Sequence, residues 1–363
     1  MDEDLLDDAA AHTKAKHRIL QEYLKGWLPI LARGQRNRLL YFDGFAGCGE
    51  LKGGDPGSPL VAIRTAVGAK SALNVPLHVR MVEEDAARCA YLRSKIQREQ
   101  EEVSNQDTLI KIDVPVCGKC EAEVTKLLDD YEQRKGRVGP ALFFLDQYGY
   151  SGFSMDLVRR ILRHGMCETF SYLNWQRMHP YFTDPSKAET FTRAIGGDEW
   201  REVQPLRDQA RVQRFKSIYV NSLRQRGGAK YVYDFAMRGP DHRLIYWLFF
   251  CTNSLKGLEV MKKAMWEVDQ TGRFEFSDRD ADQGMLTAYT QAMLAEDIYT
   301  EFNGREVSAE ELKEHVLTRT PAYRSGEAIR LLKQSRRVTE QRRARATTYS
   351  FVTPARDSRG LFE

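Results

Sequence analysis

Apolar positions along the chain fall into two alternating rhythms. Across residues 12–31, Ile19, Leu20, Tyr23, Leu24, Trp27, Leu28 and Leu31 recur at helical spacing and build one apolar face. Residues 39–43 then read Leu-Leu-Tyr-Phe-Asp, a short continuous apolar run of the kind that a parallel sheet buries on both faces. A glycine-rich loop follows. Ser58 suits a helix cap and Pro59 the first helical position, so a helix is expected over 60–67. The alternation continues with strands at 77–83, 109–113, 141–146 and 168–174, and helices at 85–99, 121–133 and 155–164. Strict alternation of this kind predicts an α/β fold: a mostly parallel sheet with helices on both faces.

The rhythm breaks after 174. Residues 176–228 are charged and read as a helical insertion, and strands at 231–237 and 244–251 flank Gly239-Pro240-Asp241-His242 as a terminal β-hairpin. A parallel sheet ended by such a hairpin is Rossmann-like in the manner of class I methyltransferases, and this first domain is expected to span 1–268. Residues 269–285, polar and carrying Gly272 and Gly284, read as a linker. Helices at 286–302, 309–318 and 325–332, then a strand at 349–352, predict a small winged-helix domain over 286–363.

The 363 residues are 42% apolar and 29% charged, enough for two cores. A net charge of +4 makes the chain only mildly basic, so a nucleic-acid contact must come from local clustering. Such a cluster exists: Arg324, Arg330, Lys333, Arg336, Arg337, Arg342, Arg343 and Arg345 face only Glu327 and Glu340 in that stretch. Arg336, Arg337, Arg342 and Arg343 are the candidates for phosphate contacts on a recognition helix and wing. The acidic N-terminus lacks the pattern of a signal peptide, and the apolar run 244–251 is too short to span a membrane. Six scattered cysteines suit a reducing, cytoplasmic setting. Cys117-Gly-Lys-Cys120 lacks a second Cys/His pair for zinc and reads as an ordinary turn, so no metal is expected.

Candidate chemistry sits at the strand ends. Asp43-Gly44-Phe45-Ala46-Gly47-Cys48-Gly49 closes the first strand: its glycines permit close backbone approach, and its acid suits the positive end of an amino-acid moiety. Lys52 stands where a pyrophosphate loop wants a third glycine, and the helix waits until Ser58 and Pro59. The loop thus fits S-adenosylmethionine, which has no phosphate to cradle. Glu83, with Glu84 beside it, closes the second strand as the acceptor for ribose hydroxyls, and Asp113 after the third is the candidate for the adenine amine. Asp146-Gln147-Tyr148-Gly149 follows the fourth strand. Enzymes that methylate exocyclic base amines use an Asp/Asn/Ser-Pro-Pro-aromatic tetrapeptide there. Asp146 takes the polar role and Tyr148 the stacking role, with Gln147 between them at the substrate, although neither proline is present.

With the segments His12-Thr-Lys14-Ala-Lys16-His17-x-x-Leu20, Tyr41-Phe-Asp43-Gly-Phe45-Ala-Gly47-Cys-Gly49, Pro56-Gly57-Ser58-Pro59-Leu60, Val82-Glu83-Glu84-Asp85, Phe144-Leu145-Asp146-Gln147-Tyr148-Gly149 and Tyr246-x-x-Phe249-x-Cys251-Thr252-Asn253, the chain resembles the three-Cys-motif partner protein (TcmP) family. More distantly it resembles the ribosomal RNA adenine methyltransferases. The family usually has Asp-Pro-Phe-Gly where this chain has Asp-Gln-Tyr-Gly. The resemblance implies a methyltransferase-like fold, S-adenosylmethionine as cofactor and a protein partner bearing three cysteines. By analogy with the ribosomal RNA enzymes, it implies that Lys16 and His17 touch cofactor or substrate phosphate. Three functions stay open: a nucleic-acid methyltransferase, a lapsed S-adenosylmethionine-binding module that docks on DNA or a partner, and a protein methyltransferase.

Overall fold

A computed structural model describes residues 5–34, 37–104, 109–278, 288–343 and 346–353. The chain forms two compact units, the first running to Val268 and resuming at Glu275, the second taking Asp269–Phe274 and the residues after the described part of the first.

The first unit opens with α1 (Ala11–Ala32), whose apolar stripe is buried as its spacing predicts. There follow β1 (Leu39–Asp43), α2 (Ser58–Gly68), β2 (Leu77–Glu83), α3 (Ala86–Ser104), β3 (Ile110–Ile112), β4 (Val116–Cys117), α4 (Cys120–Gln133), β5 (Ala141–Leu145), α5 (Met155–Arg163) and β6 (Cys167–Asn174). The helical insertion holds α6 (Trp175–Met178), α7 (Ala188–Ile195) and α8 (Asp208–Gln225), and the hairpin is β7 (Tyr231–Arg238) with β8 (Leu244–Thr252), then α9 (Leu255–Trp266) and β9 (Glu275–Ser277). The sheet runs β3-β2-β1-β5-β6-β8-β7-β9. From β3 to β6 every pairing is parallel, while β8 is antiparallel to both β6 and β7. This is the α/β, Rossmann-like fold with a terminal hairpin that the strand rhythm predicts.

β1 and β5 are buried at every position, which is why they read as unbroken apolar runs rather than alternating ones. One charge is buried in the layer beneath α1. Glu168 on β6 accepts from Trp27 Nε1 at 2.9 Å, Thr252 Oγ1 at 2.7 Å and the Tyr23 hydroxyl. Burial pushes its carboxyl upward, and the three donors pull the other way. Gly257 has no Cβ because one would overlap Glu168 Oε1.

Three details depart from the sequence reading. β4, an added edge strand, pairs with β2 beyond β3. β9 lies inside the stretch expected as linker and pairs with β7 through Ala236↔Glu275; residues 279–285 of that stretch lie outside the described residues. Cys89 and Cys117, expected as free thiols, form a disulfide, because the β4 pairing sets Cys117 opposite Glu83 and next to the first turns of α3.

The second unit is α10 (Gln291–Phe302), β10 (Glu306–Ser308), α11 (Ala309–Arg319), α12 (Gly326–Gln334), β11 (Val338–Arg343) and β12 (Ala346–Phe351). Its three strands form an antiparallel sheet ordered β10-β12-β11, and the helices bury Leu294, Ile298, Phe302, Leu312, Val316 and Leu332 against it. Among the described residues no helix is long and apolar enough to cross a membrane.

Candidate functional site

The direction of winding changes between β1 and β5: the chain steps from β1 out to β2 and β3, then returns to lay β5 on the other side. In open α/β sheets that switch point leaves a crevice outside the carboxyl ends of the strands. A cleft of about 1230 Å³ lies there, and it gathers Lys16, His17, Phe45, Gly47, Gly49, Ser58, Glu83, Glu84, Asp146, Gln147 and Tyr148. These are most of the residues singled out by sequence.

The loop after β1 is drawn over the strand ends by two backbone bonds, Gly44 N to Phe144 O and Ala46 N to Val82 O, each 2.9 Å. Gly44 is required by contact, since a Cβ there would meet Cys120 Sγ at 2.5 Å. Gly47 and Gly49 adopt φ of +60° and +80°, which L side chains disfavour. Gly47 N then donates to Glu83 Oε2 at 2.8 Å and Asp85 N to Glu83 Oε1 at 2.9 Å, so the carboxylate at the end of β2 is fixed on both oxygens. A carboxylate has about four acceptor positions, which leaves room for two more donors from the cleft.

Asp43 does not stand where the sequence reading put it. Rather than facing a ligand, it is wholly buried under the cleft floor, where Tyr41 Oη donates to it at 3.1 Å and Phe45 N at 3.3 Å. Burial pushes its carboxyl up to about 7; hydrogen bonds from Ser58 and Tyr41 offset part of that, and the Asp146 charge adds to it. Pro59 is likewise buried in the first turn of α2, a helix-starting residue rather than a contact. Asp113 is outside the cleft, held by Arg80 Nε at 2.7 Å across the β2–β3 edge.

The tetrapeptide after β5 is clasped to β6. Asn174 N donates to Gly149 O at 3.2 Å, and the Gln147 amide spans the loop, with Nε2 to Tyr172 O at 3.0 Å and Oε1 accepting from Gly152 N at 2.8 Å. Gln147, expected at the substrate, spends both ends of its amide on shaping this loop. Asp146 pairs with Lys16 from α1, and the Lys16 ammonium also lies 5.6 Å from the centre of the Tyr172 ring. Tyr148 is 71% exposed. His17, expected to touch cofactor or substrate phosphate, lines the cleft; burial, and then Lys16, push its pKa down to about 3, and it hydrogen-bonds the Pro56 backbone as a neutral ring.

Sequence reasoning missed Tyr172, Asn174, Arg177 and Tyr246, which also line the cleft. The strand-end rule applied to 168–174 marks Asn174, and Tyr246 opens one of the segments that carry the family resemblance without being assigned a role there, but Arg177 carries no motif. In the second unit Arg337 is tied to Glu296 at 2.5 Å and Arg342 to Glu340 at 2.5 Å, while Arg336 precedes β11 and Arg343 is its last residue.

No protein-family model matches the chain, and no curated protein matches it. Among solved structures, a geranyl diphosphate methyltransferase in complex with GPP and sinefungin is 12% identical over 63% of this chain and 76% of its own, at a TM-score of 0.28. A DUF574 family protein from Streptomyces avermitilis is 10% identical over 65% and 83%, at 0.29. The fold rests on the strand order itself, which is class I methyltransferase-like: a parallel sheet with its switch point at β1/β5 and an antiparallel hairpin at the far edge.

Proposed function

We propose that this protein is an S-adenosylmethionine-dependent methyltransferase that acts on nucleic acid, with an exocyclic base amine as acceptor. One observation carries the reading: the Asp146 carboxylate and the exposed Tyr148 ring share a cleft with the Gly47–Glu83 cradle at the sheet's switch point. The cradle fits the cofactor by charge. Asp7, Asp8, Glu50, Glu83 and Glu84 line the cleft; Asp7 is tied to Arg88, Asp8 to Lys52 and Glu50 to Lys95, while Glu83 is held by backbone N–H groups and keeps its charge for donors from a ligand, a place that suits ribose hydroxyls and opposes a pyrophosphate. Glu83 would hold ribose hydroxyls, and the glycine loop would meet the amino-acid end. When bound, the cofactor supplies an electrophilic methyl group on a sulfonium.

This chain's own part is to seat and orient the acceptor. Tyr148 offers a ring for the base to stack on, and Asp146 Oδ2, once Lys16 yields it, accepts an N–H of the amine and so directs the nitrogen lone pair. Tyr172, Tyr246 and α1 close the back of the cleft against water. The helix-strand-helix-helix-strand-strand order of the second unit supports a winged helix, with the Arg336, Arg337, Arg342 and Arg343 cluster as a second nucleic-acid surface. The resemblance to the TcmP family keeps a three-cysteine protein as a proposed partner.

The test is transfer of labelled methyl from S-adenosylmethionine to bulk cellular RNA and DNA. Asp146→Asn is expected to lower transfer by about 10²-fold or more while cofactor affinity stays within a few-fold. Unchanged turnover in that variant refutes the assignment of Asp146, and label appearing only in protein refutes the nucleic-acid reading.

A further inference from the structure

The α6 helix begins directly at the end of β6. Asn174 caps it, accepting from Arg177 N at 3.0 Å, while its Nδ2 donates to Tyr172 Oη at 2.7 Å. The cap sets Arg177 beside the Asp146 loop. Its guanidinium carbon lies 4.0 Å from the Tyr148 ring centre, and Nη2 donates to Tyr148 Oη at 2.7 Å. This pair fixes an exposed aromatic ring with a planar cation on one face, which leaves the opposite face as a stacking surface and most guanidinium N–H groups unspent. Tyr181 and Lys187, from the turns that follow, line the same cleft.

Charge in the cleft is divided by topology. Asp7, Asp8, Glu50, Glu83 and Glu84 come from the N-terminal segment, the loop after β1 and the end of β2, while the remaining acid, Asp146 after β5, is already paired with Lys16. Arg177 and Lys187 come from the insertion after β6, on the other side of β5 in the sheet. The part around Glu83 suits ribose hydroxyls; the other part suits an anion joined to an aromatic ring.

We infer that Arg177 and Lys187 form a phosphate subsite for the acceptor nucleotide, with Arg177 doing double duty by holding the Tyr148 ring on which the base stacks. The inference rests on the nucleic-acid reading above and gives it a grip. Arg is the better fit for this place than Lys, because a planar fork can stack on a ring and still present two N–H groups to phosphate oxygens.

Mononucleotides test the subsite without involving the second unit. The full chain, saturated with S-adenosylhomocysteine, is titrated with the four common ribonucleoside 5′-monophosphates and with the matching nucleosides, followed by ligand-observed NMR. At least one nucleotide is expected to bind tenfold or more tighter than its nucleoside. Arg177→Ala should reduce that ratio to about twofold and Lys187→Ala should reduce it in part, whereas Arg177→Lys should keep much of the ratio yet weaken nucleoside and nucleotide alike. A structural role for Arg177 would weaken both ligands equally and leave the ratio unchanged, which overturns the subsite. A wild-type protein that makes no distinction between nucleotide and nucleoside also overturns it. The nucleic-acid reading fails separately, by the absence of methyl transfer to RNA and DNA.

Discussion

Lys16 and Asp146 allow a quantitative test of how the cleft is built. Their side chains are only 10% and 15% exposed, and they pair across 130 residues of sequence, from α1 to the end of β5. Removing one member of a fully buried pair costs about 3–5 kcal/mol because a charge is stranded. The residual exposure and the adjoining cleft admit some water, so about 2–3 kcal/mol is expected for Lys16→Met. Asp146→Asn strands the lysine in turn and should cost about 1–2 kcal/mol. The double variant removes both charges, so its loss should be no greater than that of Lys16→Met alone, a coupling of at least 1 kcal/mol. Urea unfolding followed by tryptophan fluorescence is the assay, since Trp27, Trp175, Trp200, Trp247 and Trp266 all belong to the first unit. Single effects that add to within about 0.5 kcal/mol would refute the reasoning, because independent sites behave that way.

Three further outcomes follow from the same geometry. Gly257→Ala should cost about 2–4 kcal/mol in that assay, since the new Cβ overlaps Glu168 Oε1 and comes within 3.0 Å of Thr252 Oγ1; a loss below about 0.5 kcal/mol would mean the Glu168 network is slack. The Cys89–Cys117 bond closes a loop of 28 residues in sequence separation, so reduction should lower stability by about 3–4 kcal/mol on the chain-entropy model, and six reactive thiols in the oxidised, denatured chain would dismiss the bond. Asp43 has its carboxyl raised to about 7 in the folded chain, so between its unfolded value and that pH the folded state holds the extra proton. Stability therefore falls as pH rises through this window, by up to roughly 4 kcal/mol, and Asp43→Asn should abolish the fall. Parallel pH profiles for the two proteins would sink that account.

What the sequence made legible, and what it hid, divides along physical lines. β1, β5 and β6 announce themselves because both of their faces are covered, and the loops that follow such strands are where ligands meet an α/β sheet; hence Gly47, Glu83, Asp146 and Tyr148 could be named from order alone. The short strands could not. Val116–Cys117 and Glu275–Ser277 are two and three residues at sheet edges, too short for any period, and Val338–Arg343 buries only its first residue fully. They exist because a neighbouring strand offers unpaired backbone groups, a fact of register rather than of composition. The same blindness explains Asp43 and Asp113. Position at a strand end says that a carboxylate is near the cleft but not which way it turns: Asp43 continues the buried pattern of β1, and Asp113 is claimed by Arg80 from the adjacent strand. Arg177 lies at the far limit, since only the fold reveals that a helix capped by Asn174 carries a guanidinium back onto Tyr148. The strand-end loops thus mark Asp146 and Tyr148, while the guanidinium that fixes the Tyr148 ring comes from an insertion that no strand-end motif marks.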